Sequence, residues 1–161
     1  MVAVERRVLR HRLAPRVRWR PAGQECQRLL KGTAVTAAPA IGSTTWVVAD
    51  GYIPPGSTGP APAMTSHDSV CLLNAGADGV VVEIVVYFTD REPIGPYVIE
   101  VPGRRAHHQR INDLRDPDVV PVGVDYSLVL TSTAPIVVQH TRLDSRQAAN
   151  ALMSTIAYPV S

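Results

Sequence analysis

Between Gln139 and Arg146 the chain gathers Gln139, His140, Thr141, Arg142, Asp144, Ser145 and Arg146 within eight positions. An imidazole, two guanidiniums, a carboxylate, an amide and two hydroxyls this close together suit three kinds of chemistry. They can move protons at a catalytic centre, read the hydroxyls or phosphates of a small ligand, or form the polar rim of a subunit contact. The segment begins as "PIVV", which reads as β-strand, so side chains alternate across its two faces. Gln139, Thr141 and Leu143 share one face and His140 and Arg142 the other. One set can meet a core or a partner while the other meets a ligand.

Further polar and aromatic groups fall at strand ends or in the adjoining loops: Trp46, Tyr52, His67, Asn112 and Asp113. With His140, Arg142, Asp144 and Arg146 they make a candidate ligand-binding set. Aromatic faces would stack on an apolar sugar or base face, and amides, carboxylates and Arg would take hydroxyls or phosphates. The structural alternative is that Arg142, Asp144 and Arg146 pair to fix a turn, with Asn112 and Asp113 capping the next segment. The five histidines form no HxH or HxxxH pair. His107 and His108 are adjacent on a strand and point opposite ways, so no metal site is assigned. No GxSxG elbow, P-loop or dinucleotide fingerprint occurs, so no catalytic residue and no cofactor is assigned. Cys71 in "SVCLLN" reads as an inert core thiol, and Glu83 in "VVVEIVV" as one wet position on a sheet face. An enzyme acting on a sugar derivative, using His140, Asp144 and Asp113, is kept as an alternative.

These residues need strands to hold them. From Thr44 onward, short β-branched and aromatic runs alternate with Gly, Pro, Asn and Asp. The runs are 44–50, 69–75, 80–89, 97–102, 105–111, 126–132, 135–141 and 151–158. This pattern predicts an all-β sandwich or barrel. The Pro- and Gly-rich stretch 51–68 and the segment 112–125 are long irregular crossings, which suit a Greek-key or jelly-roll arrangement over a simple meander. Helical spacing appears only in "SRQAANALM", where one or two turns could precede the last strand.

The 161 residues carry a formal charge of +2, and its distribution is uneven. Residues 1–40 hold nine of the 16 Lys and Arg and two of the 14 Asp and Glu, a local charge of +7 that leaves −5 for residues 41–161. Residues 1–41 therefore read as a disordered Arg-rich arm and linker, and residues 42–161 as one folded domain. Such an arm suits nucleic acid or an anionic membrane face, so a nucleic-acid-binding regulatory protein is a further alternative. No run approaches the roughly 20 apolar residues of a spanning helix. Two cysteines, Cys26 and Cys71, suggest no disulfide framework, and the expected location is cytoplasmic.

The blocks "GYIPPG", "SHDSVCLLNAG", "YFTDREPIGPY", "VPGRRAHHQRINDLRDP" and "APIVVQHTRLDSRQAANALMSTIAYP" together resemble the sensory rhodopsin transducer family, in order and with few gaps over about residues 42–159. The resemblance implies a jelly-roll-like β-sandwich similar to carbohydrate-binding domains. It also implies a cyclic homotetramer and a non-enzymatic role in signal transduction or in binding a small, sugar-like ligand. A membrane photoreceptor or another sensor is the implied partner. Carried over by motif, the positions Trp46, Tyr52, Ile53, Pro54, His67, Asn112, Asp113, His140, Arg142, Asp144 and Arg146 would form the ligand surface. Gly103 and the pair His107–His108 depart locally from the family pattern.

Overall fold

The computed structural model describes residues 40–160. The basic arm, and the nucleic-acid contact expected of it, lie outside the described residues, apart from Ala40 and Ile41.

Eight strands account for the fold: β1 (Ser43–Tyr52), β2 (His67–Asn74), β3 (Val80–Phe88), β4 (Ile94–Val101), β5 (Arg105–Arg110), β6 (Asp125–Asp144), β7 (Ala151–Ile156) and β8 (Tyr158–Val160). A single 3₁₀ turn, Ile111–Asp113, follows β5. Every pairing is antiparallel. One sheet runs β4-β3-β6-β1-β8 and the other β5-β2-β6-β7. The all-β sandwich expected from the sequence is the fold observed.

β6 holds the two sheets together. Its first half pairs with β1 and β3, and its second half with β2 and β7. The sequence reading divides this segment at "TSTAP" into two strands. The backbone instead continues through Ser132–Pro135 as one strand of 20 residues. Pro135 lacks an N–H but sits where the strand passes from one sheet to the other, so it interrupts neither ladder. Alternation then places Leu128, Leu130, Ile136, Val138 and His140 inside. Val70 and Leu72 of β2, Val82, Ile84 and Val86 of β3, and Tyr97 of β4 complete the core. Glu83, on the opposite face of β3 from its neighbours, is exposed, as its isolation in an apolar run suggests.

Two expectations are corrected. "SRQAANALM" forms no helix: residues 145–150 are irregular and β7 begins at Ala151. The ladder from Leu152 to Ile156 against β6 outweighs a weak helical pattern with only a few residues to propagate it. The last strand is also two strands. Ala157 is buried and donates its N–H to Val138 O, which turns the chain from the second sheet into the first.

Candidate functional site

The site is built around a carboxylate that the sequence reading passed over. Asp68 occupies an inward position of β2, in the alternation Asp68, Val70, Leu72, and is fully buried. The register places Arg142 directly opposite it on β6, and His140 opposite Val70. A register shift between Val48 and Gly51 interrupts the β1–β6 ladder, which resumes at Gly51 and Tyr52, and the Tyr52 N–H points at the same carboxylate. Asp68 Oδ2 accepts from Tyr52 N and from the Tyr126 hydroxyl, both at 2.8 Å. Asp68 Oδ1 accepts from Arg142 Nε at 2.8 Å. A lone buried carboxylate would be untenable, and these donors are what make it stable. Burial pushes the Asp68 carboxyl up, but His140, Arg142 and the Tyr52 N–H outweigh it and hold it below the ordinary value of 3.8. Burial, and then the Asp68 charge, push the Tyr126 hydroxyl far up, so it stays a donor at all ordinary pH.

Arg142 carries this buried charge to the surface. Its Nη2 donates to Asp50 O at 3.2 Å, its Nη1 lies 3.6 Å from Asp50 Oδ2, and its guanidinium stands 5.8 Å from the Tyr52 ring centroid in a cation–π contact. Burial opposes its charge, yet Asp68 and Asp50 hold its pKa above the ordinary value. The turn pair expected between Arg142 and Asp144 is therefore replaced by Arg142–Asp68. Asp144 instead takes Arg146 in a two-pronged ion pair, with Nη2 to Oδ2 at 2.6 Å. Arg146 pulls the Asp144 carboxyl down and is itself raised, chiefly by Asp144 and to a smaller extent by the Tyr52 hydroxyl. A pocket of about 470 Å³ opens beside this pair, lined by Asp144, Arg146, Gln147, Ala149 and Ala151.

His140 is in a different position. Its side chain is 1% exposed, and Nε2 lies 3.1 Å from Asp68 Oδ2. This is a close polar contact with the carboxylate, without the alignment of a good hydrogen bond, and both ring nitrogens are sealed from solvent. Each unsatisfied buried polar atom costs about 1–3 kcal/mol. His140 lines a second cleft, of about 570 Å³, between β1 and the β7–β8 turn. Its walls are mostly apolar, among them Val47, Val48, Met153, Ile156 and Val160, with Asp50 and Thr155 as polar members of the lining.

The remaining predicted residues are dispersed. Trp46 is buried in mid-strand, and its Nε1 donates to Ser43 O and Ile136 O, so it offers no face to a sugar. Asn112 binds the Asp68 N–H and the Ser66 carbonyl and thereby fastens the 3₁₀ turn to β2. Asp113 is exposed beyond it. His67 is half-buried with Nδ1 2.7 Å from Thr65 O. Ser145 is a tie: its N–H donates to Ser66 Oγ, and its carbonyl accepts from Thr58, which pins the long 53–66 crossing. Ile53 and Pro54, at the start of that crossing, are buried. Gln139 and Thr141 face outward and bond Ser154 of β7. Cys71 also corrects its expectation. It lies on the outward face of β2, half-exposed, with Sγ 3.3 Å from His108 Nδ1. Among the described residues no three His, Cys, Asp or Glu gather as metal ligands, and no helix is long and apolar enough to cross a membrane.

The strands that carry these groups, β1 through most of β8, are the extent of one family model: Anabaena sensory rhodopsin transducer, matched over residues 41–159. The chain belongs to this family. Among solved structures, the Anabaena sensory rhodopsin transducer is 50% identical with a TM-score of 0.57, covering 63% of this chain and 99% of that one. Thermotoga maritima 1070 is 32% identical with a TM-score of 0.67, covering 74% of this chain and 97% of that one. No match was found among curated proteins. As a member of the transducer family, the chain brings its Asp68–Arg142 pair, its Arg146–Asp144 edge and the His140 cleft within the matched region.

Proposed function

We propose that this protein is a non-enzymatic signal-relay module. It assembles as a homotetramer through its C-terminal strands and reads a small ligand at the edge formed by Tyr52, Asp144 and Arg146, with Arg142 bracing that edge from within. The observation that carries the reading is membership of a transducer family together with an exposed apolar strip on β7 and β8. Leu152, Ile156 and Tyr158 are 72%, 60% and 71% exposed. A patch of this kind on the last strands is a surface prepared for another protein.

A non-catalytic role fits the local chemistry. Asp68 is fully engaged and shielded, so it is no free general base. Cys71 has an imidazole neighbour, but burial raises its thiol pKa, which disfavours the nucleophilic thiolate. The resemblance implies a sugar-like ligand, and Tyr52 is the one aromatic of the expected set placed to stack on it. A sensor, such as a membrane photoreceptor, is the upstream partner this reading requires, and the cytoplasm the compartment. The +7 charge of residues 1–40 favours a second contact, with nucleic acid.

The test is a thermal-shift screen of the full chain against sugars, sugar phosphates and nucleotides, since a ligand that binds only the folded state raises its apparent stability. A hit that disappears in Arg146→Ala and in Tyr52→Ala, with unliganded melting unchanged, supports the ligand edge. A hit indifferent to both substitutions places the ligand elsewhere.

A further inference from the structure

β5 is a free edge of the second sheet. It pairs with β2 alone, and among the described residues no loop forms a ladder on its other side. In an antiparallel pair, alternate N–H and C=O groups point away from the partner strand, so the outer side of β5 presents an open ladder to solvent. The same stretch is strongly basic. "GRRAHHQR", residues 103–110, holds three arginines, two histidines and no acid, a local charge of +3 with neutral histidines. Residues 41–161 as a whole carry −5. Arg104, Arg105 and His108 are exposed. Among the described residues none of the three arginines is ion-paired: Arg105 donates to Arg104 O and Arg110 to Pro62 O. Asp78 lies beside the 103–104 turn and pairs with neither arginine there. The register puts Ala106, His108 and Arg110 on the outward face, opposite Leu73, Cys71 and Ser69, and Arg105, His107 and Gln109 on the other face. Positive groups therefore flank the open ladder on both sides.

We propose that the β5 edge binds an acidic, extended segment of a partner protein as an added strand. The six residues of β5 match a guest of about six residues. Main-chain hydrogen bonds to the open ladder hold the guest, and its acidic side chains alternate to meet Arg105 on one face and Arg110 on the other. A nucleic acid is disfavoured here, because phosphates cannot complete a peptide ladder and the charges divide between two faces instead of lining one. A second copy joined β5 to β5 is disfavoured by the same charges, since like-charged strands repel. Charges on an edge strand also guard it against unwanted pairing. The two roles differ in whether an acidic strand is admitted. β5 and β7 are opposite edges of one sheet, three strand spacings or about 14 Å apart. The site is therefore separate from the C-terminal strands assigned to the tetramer and from the ligand edge, and depends on neither.

The experiment is hydrogen-exchange mass spectrometry of the full chain, read at the β5 amides, which separates this edge from the basic residues 1–40. Four probes are titrated: the capped hexapeptide Glu-Glu-Val-Glu-Glu-Val, its counterpart with Lys for Glu, the acidic peptide with its amides N-methylated, and an oligothymidylate. The acidic peptide is expected to protect β5 saturably, and less so as salt is raised. The other three are expected to leave β5 exchange unchanged. Arg104→Glu with Arg105→Glu, at two exposed positions, should weaken the protection about tenfold while the melting temperature holds. Ile156→Asp should leave the protection in place, so the fate of the tetramer does not decide the outcome. No protection by the acidic peptide overturns the proposal, as does protection that survives both charge reversals. Equal protection by the N-methylated peptide would show charge attraction without a ladder, and protection by the oligothymidylate would make the edge a phosphate reader; either overturns it. Protection lost in Ile156→Asp would move the peptide to the C-terminal strands and overturn it as well.

Discussion

Asp68 decides the site at the level of single residues. It accepts from β1, from Arg142 and from Tyr126, so one carboxylate ties together three strands and the guanidinium that reaches the surface. Asp68→Asn removes the charge and leaves Arg142 facing an amide in a buried site. The expected loss is roughly 3 kcal/mol or more, read as a lower urea midpoint at unchanged m-value. The pH dependence has a definite sign. The folded-state pKa of Asp68 lies below 3.8, so its contribution is present above that pH and is lost as pH falls through the lower folded value. Stability measured by denaturant midpoints should therefore drop below about pH 4, and more shallowly in Asp68→Asn; identical slopes would remove Asp68 from the account. The polar cluster at 139–146 was legible in the sequence, but the residue that organises part of it was not. Asp68 is 74 positions away from Arg142 in the chain, and only the β2–β6 register brings them together. The available signal was an Asp at the first inward position of the alternation Asp68, Val70, Leu72. Trp46 misled in the opposite sense, because a strand tryptophan looks the same in sequence whether its indole N–H meets a ligand or a backbone carbonyl.

At the level of elements, β6 and the start of β1 fix the geometry. Gly42 precedes β1 with φ +102°, and a Cβ there would lie 1.9 Å from Ile136 O. Only glycine allows the chain to pass this close to β6, so Gly42→Ala should cost roughly 1–3 kcal/mol. Hydrogen exchange should show the loss first in the β1–β6 ladder. Strands β1 to β5 were readable from alternation and turn residues to within a few positions. The region after Ser132 was not. "TSTAP" resembles a turn, yet it is the bridge of a 20-residue strand, because a strand changing sheets needs no reversal. Residues 145–158 have weak local preferences of both kinds, and pairing with the end of β6 and with the distant β1 decides between them. Cys71 shows the same limit in a strand: an apolar run does not reveal which face a half-buried thiol takes.

At the level of the whole molecule, the account rests on what the C-terminal strands do. β7 is the edge of one sheet and β8 the edge of the other, and both present apolar side chains to solvent in the single chain. Exposed apolar edge strands are a liability unless another chain covers them. The family resemblance was readable from the sequence because long blocks such as "VVQHTRLDSRQAANALMSTIAYP" combine core, edge and turn residues in fixed order. The clefts were not readable, because sequence blocks do not show which side chains of β1, β6 and β7 face one another. The most direct measurement is sedimentation equilibrium of the full chain, alone and as Ile156→Asp. The account predicts a particle of four times 17.4 kDa at micromolar concentration, and a dissociated but still folded chain for Ile156→Asp. A wild-type monomer at that concentration, or a tetramer unaffected by Ile156→Asp, would contradict it.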